Sequence, residues 1–411
     1  MDNLTHTLVG LVVGETVSRT SAADPTGVGS ETRRKLFVSL MAIGSNVPDL
    51  DFIQSRITDS KLDYLLHHRG HTHTILGALA LSFILYLGCE AWSRWRQQRL
   101  SSRDRLQLIG VGLLASLLHI ALDYTNSYGV HPFWPFDNRW YYGDAVFIVE
   151  PLFWAASAPL VFLLKTTLAK VFVALALIAA LGLSIVTGMV PTMLCVALGA
   201  LMIAMLAVGK LASARIALTT SLIVWLSVNA MFMYSSTVAA ERARVLSART
   251  FPNEPLLDHV LTSMPANPFC WSLMLVQANE DRWYVRRASL SLAPGWISAD
   301  ECPSRGNPRE ATAPMKKVDA PSNRAVVWIN ELQTERVSLN KWLGEDCDAS
   351  AFMRFARAPW LAQIDDKWVI GDARFDNEPE LSFAEFELMA GRTNCMSLVP
   401  SWTPPRAELL E

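Results

Sequence analysis

The stretch His67-His68-Arg69-Gly70-His71-Thr72-His73-Thr74 carries four of the chain's eight histidines, and an apolar run begins directly behind it at Ile75. Imidazoles are costly to bury without partners, and crowded at the mouth of an apolar segment they point to metal binding. Further candidates occur at four other places. His6 follows Asp2-Asn3, either of which can cap a helix and so put His6 in its first turns. Asp49 and Asp51 flank Leu50 just after Pro48, a residue that ends the preceding helix. His119 and Asp123 are spaced i, i+4 at the end of an apolar run and share one helix face. Glu150-Pro151 sets a carboxylate inside another apolar run.

Each candidate also has a plainer reading. Asp49 and Asp51 can cap the next helix or face water. The His119–Asp123 pair can tie helices together by a hydrogen bond. Glu150 can stay protonated in the membrane as readily as it can reach a site. Within the histidine-rich stretch, Gly70 allows a sharp turn that lets His68 and His73 share a centre. Arg69 can hold a phosphate or carboxylate in two-pronged fashion, or contact headgroups at the interface.

These residues need elements to position them. Hydrophobic residues make up 51% of the 411 and charged residues only 18%, and nearly all the long apolar runs fall before residue 240. The runs are 75–92, 106–122, 145–164, 168–188, 190–208 and 216–234. A helix needs roughly 20 apolar residues to cross the hydrocarbon, so about six transmembrane helices are expected. Two shorter N-terminal helices, 4–17 and 36–47, precede them. Met1-Asp2-Asn3 has no basic n-region, so a cleavable signal peptide is not expected. The formal net charge of −2 gives no electrostatic footprint for nucleic acid. No acidic residue occurs in 168–234, which argues against an ion-coupled transporter and for a scaffold.

Basic residues set the expected orientation. Arg19, Arg33, Arg34 and Lys35 in one loop, and Arg94, Arg96, Arg99, Arg103 and Arg105 in another, outweigh Arg56, Lys61, Arg69 and Arg139 in the alternate loops. The first set is expected in the cytoplasm, although Arg242, Arg244 and Arg249 run against the trend. His6, Asp49, Asp51, His68, His73, His119 and Asp123 then all reach the outer face.

Residues 1–240 read as a polytopic membrane domain and 241–411 as an extracytoplasmic α+β domain. In the tail, 283–292, 325–332 and 367–375 look like strands, 338–343 and 383–389 like short helices, and 300–323 like a long loop. Cys270, Cys302, Cys347 and Cys395 all lie in it, which suggests up to two disulfides in one of three pairings.

Thr5-His6, Pro48-Asp49-Leu50-Asp51, His68-Arg69-Gly70-His71-Thr72-His73-Thr74, the His119/Asp123 pair and Gly129 with Trp134-Pro135-Phe136 together resemble the YdjM family. Its members are bacterial inner-membrane proteins described as metal-dependent hydrolases, one of them regulated by the LexA repressor. The resemblance covers residues 1–155, and Phe355-Ala356-Arg357 and Gly371-Asp372-Ala373-Arg374-Phe375 are similar to segments of longer members. The family pattern usually reads His-Arg-Gly-x-Thr-His-Ser. Thr74 stands here for the serine, and His71 fills the variable position, which favours His73 over His71 as a ligand. Glu150-Pro151 stands where the family more often has Asp-Pro.

The expected centre holds a divalent transition metal, zinc first, with manganese or iron(II) as alternatives. Its ligands come from His6, Asp49, Asp51, His68, His73, His119 and Asp123. Seven candidates exceed one tetrahedral ion, so two ions sharing a carboxylate are also considered. Asp51 or Glu150 would take a proton and Arg69 would hold an anion. The His-x-x-x-Asp helix is similar to that of zinc-dependent phospholipase C, which favours a lipid or lipid-linked phosphoester at the outer leaflet. The alternative is a non-enzymatic scaffold or sensor with a structural metal site.

Overall fold

The computed structural model describes residues 1–53, 58, 60–303, 314–364, 366–375, 383–392 and 394–410. Arg56 and residues 304–313 of the expected 300–323 loop lie outside the described residues. The chain divides into two units, the first made of Met1–Leu50, His71–Trp134 and Val146–Met231, the second of Asp51–Gly70, Pro135–Ala145 and Phe232–Glu411.

The first unit opens with α1 (Asn3–Thr20), which begins where the Asp2 carboxylate accepts from Thr5 N at 2.9 Å. It packs on α2 (Ser30–Gly44). Gly10 makes this close approach possible: a Cβ there would lie 2.8 Å from the Met41 carbonyl oxygen. A 3-10 turn, Val47–Asp51, follows α2. Beyond a second 3-10 turn at His71–His73 come α4 (Ile75–Trp95) and α5 (Ser102–Tyr124), while the intervening α3 (Lys61–His67) belongs to the second unit. Thr74 caps α4 by accepting from Gly77 N, and Ser101 and Asp104 form a reciprocal capping box on α5. Buried Phe37, Leu40, Met41, Leu108, Val111 and Ala115 bind α2 to α5.

Among the described residues, five helices are long and apolar enough to cross a membrane. They are α4, α5, α8 (Thr167–Val186), α9 (Thr192–Leu211) and α10 (Ala214–Thr250). The 145–164 run, expected as a sixth, instead forms the short helices α6 (Pro151–Ala156) and α7 (Leu160–Leu163). Pro151 can only open a helix, and Pro159 lacks the N–H that would carry α6 onward, so this sequence breaks where its hydropathy does not. The α10 helix does not stop near 234. Its 37 residues span about 55 Å, more than the roughly 30 Å of a hydrocarbon core.

The second unit holds the end of α10 and two antiparallel sheets. The strands β1 (Leu256–Met264), β2 (Asn267–Ala278), β3 (Arg282–Ser291) and β4 (Val326–Glu335) pair in sequence order. One core gathers Leu261, Trp271, Leu273, Leu290 and Val326 of this sheet against Ala239, Ala243 and Phe251. After α11 (Arg336–Glu345) and α12 (Cys347–Phe352), β5 (Pro359–Ile364), β6 (Lys367–Asp372) and β7 (Glu385–Glu387) form the second sheet. The expected helix at 383–389 is therefore a correction: Glu385–Glu387 pairs with Val369–Gly371. Three residues are too few to show a period, and the free edge of β6 decides their conformation. The strands β1, β2 and β5 went unread for a related reason, since none shows a clean alternation of buried and exposed positions.

Of the three pairings open to the tail cysteines, the structure has Cys270–Cys302 and Cys347–Cys395. Cys89 and Cys195 are free. Two loops from the N-terminal half fold into this unit. Trp402 Nε1 donates to the Leu66 carbonyl at 2.7 Å, and Arg357 holds both oxygens of Asp144 at 2.8 Å. Arg357 also reaches Asp258 at 2.7 Å and lies over the Tyr142 ring. Burial works to raise the Asp258 carboxyl, but Arg357 and Arg406 outweigh it and hold the group below its usual range.

Candidate metal centre

Four of the expected ligands meet in the first unit: Asp49, His73, His119 and Asp123. Three local features bring them together. Pro48 follows the end of α2 and places Asp49 in the 3-10 turn. His73 closes the second 3-10 turn immediately before the Thr74 cap, and Ile75 N bonds to the Pro132 carbonyl at 2.9 Å, fixing where α4 starts. His119 and Asp123 occupy the last turns of α5 on one face.

The donor atoms all lie within 4.8 Å of one another. His73 Nε2 is 3.4 Å from Asp49 Oδ1 and 3.2 Å from Asp123 Oδ2. His119 Nε2 is 3.4 Å from Asp49 Oδ1 and 3.3 Å from Asp123 Oδ2. The two Nε2 atoms are 2.9 Å apart. Bonds of about 2.0–2.1 Å to nitrogen and oxygen in a tetrahedron give edges of roughly 3.3 Å, so four of these separations match a single small divalent cation. The fifth, between the imidazoles, is somewhat short.

The second ring nitrogens have partners suited to ligation. His119 Nδ1 lies 2.8 Å from the Ser45 carbonyl oxygen. A carbonyl only accepts, so Nδ1 carries the proton and Nε2 of the neutral ring presents its lone pair. His73 Nδ1 is 3.0 Å from Thr72 Oγ1. His73, His119 and Asp123 are fully buried, whereas the Asp49 side chain keeps 14% exposure. Burial works to raise the Asp49 carboxyl, but hydrogen bonds with His119 and His73 reverse the effect and hold it well below the usual carboxylate range. Two imidazoles and two carboxylates in a dry site fit a borderline transition metal better than calcium, which takes all-oxygen shells.

His6 stands beside these four. Its ring stacks on His119 at 3.9 Å, and its Nε2 is 3.3 Å from Asp123 Oδ1. Its Nδ1 is buried with no hydrogen-bond partner among the described residues. The Met1 amino group also contacts Asp123 Oδ1. Asp123 thus turns Oδ2 to the imidazoles of His73 and His119 and Oδ1 to His6.

The structure places the remaining candidates differently. In the second unit, Asp51 Oδ1 pairs with His68 Nδ1 at 2.9 Å, and Asp51 Oδ2 accepts from the Arg69 backbone N–H at 3.0 Å. His68 also stacks on Tyr64. Arg69 is buried and is the residue at positive φ, 60°, in this turn. Gly70 is required for another reason: a Cβ there would meet the His67 carbonyl oxygen at 2.8 Å and the Trp402 ring at 3.2 Å. Glu150, fully buried in the first unit, accepts from Leu152 N at 3.0 Å as the cap of α6. Sequence reasoning did not single out Ser45, because a backbone carbonyl leaves no signature in residue type.

Residues 1–193 match the YdjM inner membrane protein family. The matched segment contains all four converging residues, together with α4, α5 and α8 in full. It is also similar to the uncharacterized protein YfhP of Bacillus subtilis, at 31% identity over 145 residues. This alignment covers 34% of the chain and 39% of YfhP, so the chain spans about two fifths of that relative's length. No solved structure matches the chain.

Proposed function

We propose that this YdjM-family protein is a membrane-embedded metal-dependent hydrolase of a lipid or lipid-linked phosphoester. The observation that carries the reading is the pair of Nε2 atoms facing two carboxylate oxygens at about the edge lengths of a tetrahedron. Zinc fits the donor set best, with manganese or iron(II) as alternatives. A divalent ion at this point supplies Lewis-acid chemistry, polarising a phosphoryl oxygen and lowering the pKa of water to roughly 7.

The chain's own residues supply the rest. Ser45 fixes the His119 tautomer through its carbonyl. Asp49 is the most exposed of the four ligands, and so the one able to yield a position to substrate. Asp51 and Glu150 are the candidate proton acceptors, and Arg69 is the candidate partner for an anion. A second ion would be held by His6 and Asp123, whose Nε2 and Oδ1 lie 3.3 Å apart. The basic 18–35 and 93–105 loops face the cytoplasm in this reading. The metal centre and the 241–411 domain then lie on the periplasmic or outer side, and the substrate is in the outer leaflet.

The test is metal analysis of the purified protein joined to an assay on phospholipid and lipid-linked phosphoesters. One transition-metal equivalent, lost together with hydrolysis in His73→Ala and His119→Ala, supports the reading. Protein with no stoichiometric metal would end it. Reporter fusions after residue 104 and at the C-terminus should report opposite compartments; the same compartment for both refutes the orientation.

One observation favours a second reading, that of a scaffold or sensor with a structural ion. Four protein ligands close a tetrahedral shell, as structural sites do, whereas catalytic sites leave a position open. That reading predicts that chelation unfolds the membrane unit and that no hydrolysis accompanies the metal.

A further inference from the structure

Away from the metal centre, α2 and α4 diverge on either side of the seam they share with α5. The result is an apolar groove of about 410 Å³. One wall carries Leu36, Leu40 and Ile43 and the other Ile84, Gly88 and Trp92. Ile43 and Ile84 are 57% and 60% exposed, and most of α4's span faces outward. The groove follows α2 from Lys35 to Ile43, about 12 Å at the helical rise.

Its Lys35 end is different. The Lys35 ammonium lies 3.4 Å from Glu31, and Lys165 lies 3.8 Å from the same carboxylate oxygen. Two cations thus share one anion, so the mouth keeps a net positive charge. Trp92 stands on the opposite wall at this end, the position aromatic side chains take at headgroup depth.

We propose that this groove holds one acyl chain of an anionic phospholipid, with its phosphate at Lys35. An apolar cleft open along a membrane span is bathed in hydrocarbon tails, and the charge at one end selects among headgroups. A long lysine stem lets the ammonium reach the interface while its methylenes line the cleft. The site sits at the opposite end of α2 from Asp49 and does not rest on the hydrolase reading.

The experiment is native mass spectrometry of the full chain in detergent, offered phosphatidylglycerol or phosphatidylcholine. Phosphatidylglycerol should be retained roughly fivefold more, the worth of about one basic residue at an anionic surface. Lys35→Gln should abolish the preference. At Gly88 an added Cβ meets nothing within 4 Å, so Gly88→Phe fills the groove and should lose retention of the lipid without loss of thermal stability. In the unaltered protein, Cys89 lines the groove, and phosphatidylglycerol should slow its reaction with a thiol reagent. Equal retention of the two lipids, retention unchanged by Lys35→Gln, or unchanged Cys89 reactivity would each overturn the proposal. So would a dimer that Gly88→Phe converts to monomer, since a second copy would then be the occupant.

Discussion

His119 donates from Nδ1 to the main-chain carbonyl of Ser45 at 2.8 Å, and this one bond determines which ring nitrogen is offered to a metal. Ser45 is held in turn, since its Oγ lies 2.5 Å from the Met41 carbonyl oxygen and 3.1 Å from that of His6. The ends of α1, α2 and α5 are thereby linked around the centre. Replacing His119 with Gln keeps polarity but removes the oriented nitrogen. Metal content measured by plasma mass spectrometry should fall at least tenfold, the scale on which misoriented or lost ligands act.

Acid should release the metal. Both imidazoles must be neutral to ligate, and an ordinary imidazole gains its proton near 6.5. Binding should therefore be complete at neutral pH and decline as pH falls below about 6. Equilibrium dialysis across that range checks it; affinity that does not change down to pH 4 would rule out histidine ligation.

Asp51 and His68 pair with each other, outside the group of four. Asp51→Asn should leave metal content at the wild-type level while lowering any hydrolytic rate that depends on the pair. If the metal is lost in Asp51→Asn, then Asp51 is a ligand and the four-residue set is incomplete.

Arg357 pairs with two carboxylates, the buried Asp144 and the half-buried Asp258. Arg357→Ala leaves Asp144 uncompensated and Asp258 with Arg406 alone, and should cost on the order of 3–5 kcal/mol. Arg357→Lys keeps the charge but not the two-pronged contact with Asp144, and should fall between. Thermal denaturation of the purified variants reads the difference. The Asp258 carboxyl is held below its usual value, so its favourable contribution is present above an ordinary aspartate pKa of about 3.9 and is lost as pH falls through the lowered folded value.

The two disulfides predict a thiol count. Denatured protein without reductant should expose Cys89 and Cys195 alone, and reductant should add the four cysteines of the tail. Cleaved peptides should link 270 to 302 and 347 to 395.

The sequence by itself determined those parts that depend on local spacing or composition. An i, i+4 His–Asp pair shares a helix face whatever surrounds it, so His119 and Asp123 were legible. So were the apolar runs that became α4, α5, α8 and α9, because the length of an apolar run is a local quantity. Pro151 and Pro159 were visible too, but hydropathy weighs composition and takes no account of the missing N–H groups that split 145–164 into α6 and α7. Which of seven candidate ligands converge was a tertiary matter. His73 and Asp49 join the α5 pair because of backbone bonds at Pro132 and Ser45, and no residue type records a carbonyl's direction. The histidine-rich stretch itself was divided by the fold, with His73 turned to the cluster and His68 to Asp51. The pairing of β7 and the choice among three disulfide arrangements were settled in the same way, by distances between residues far apart in the chain.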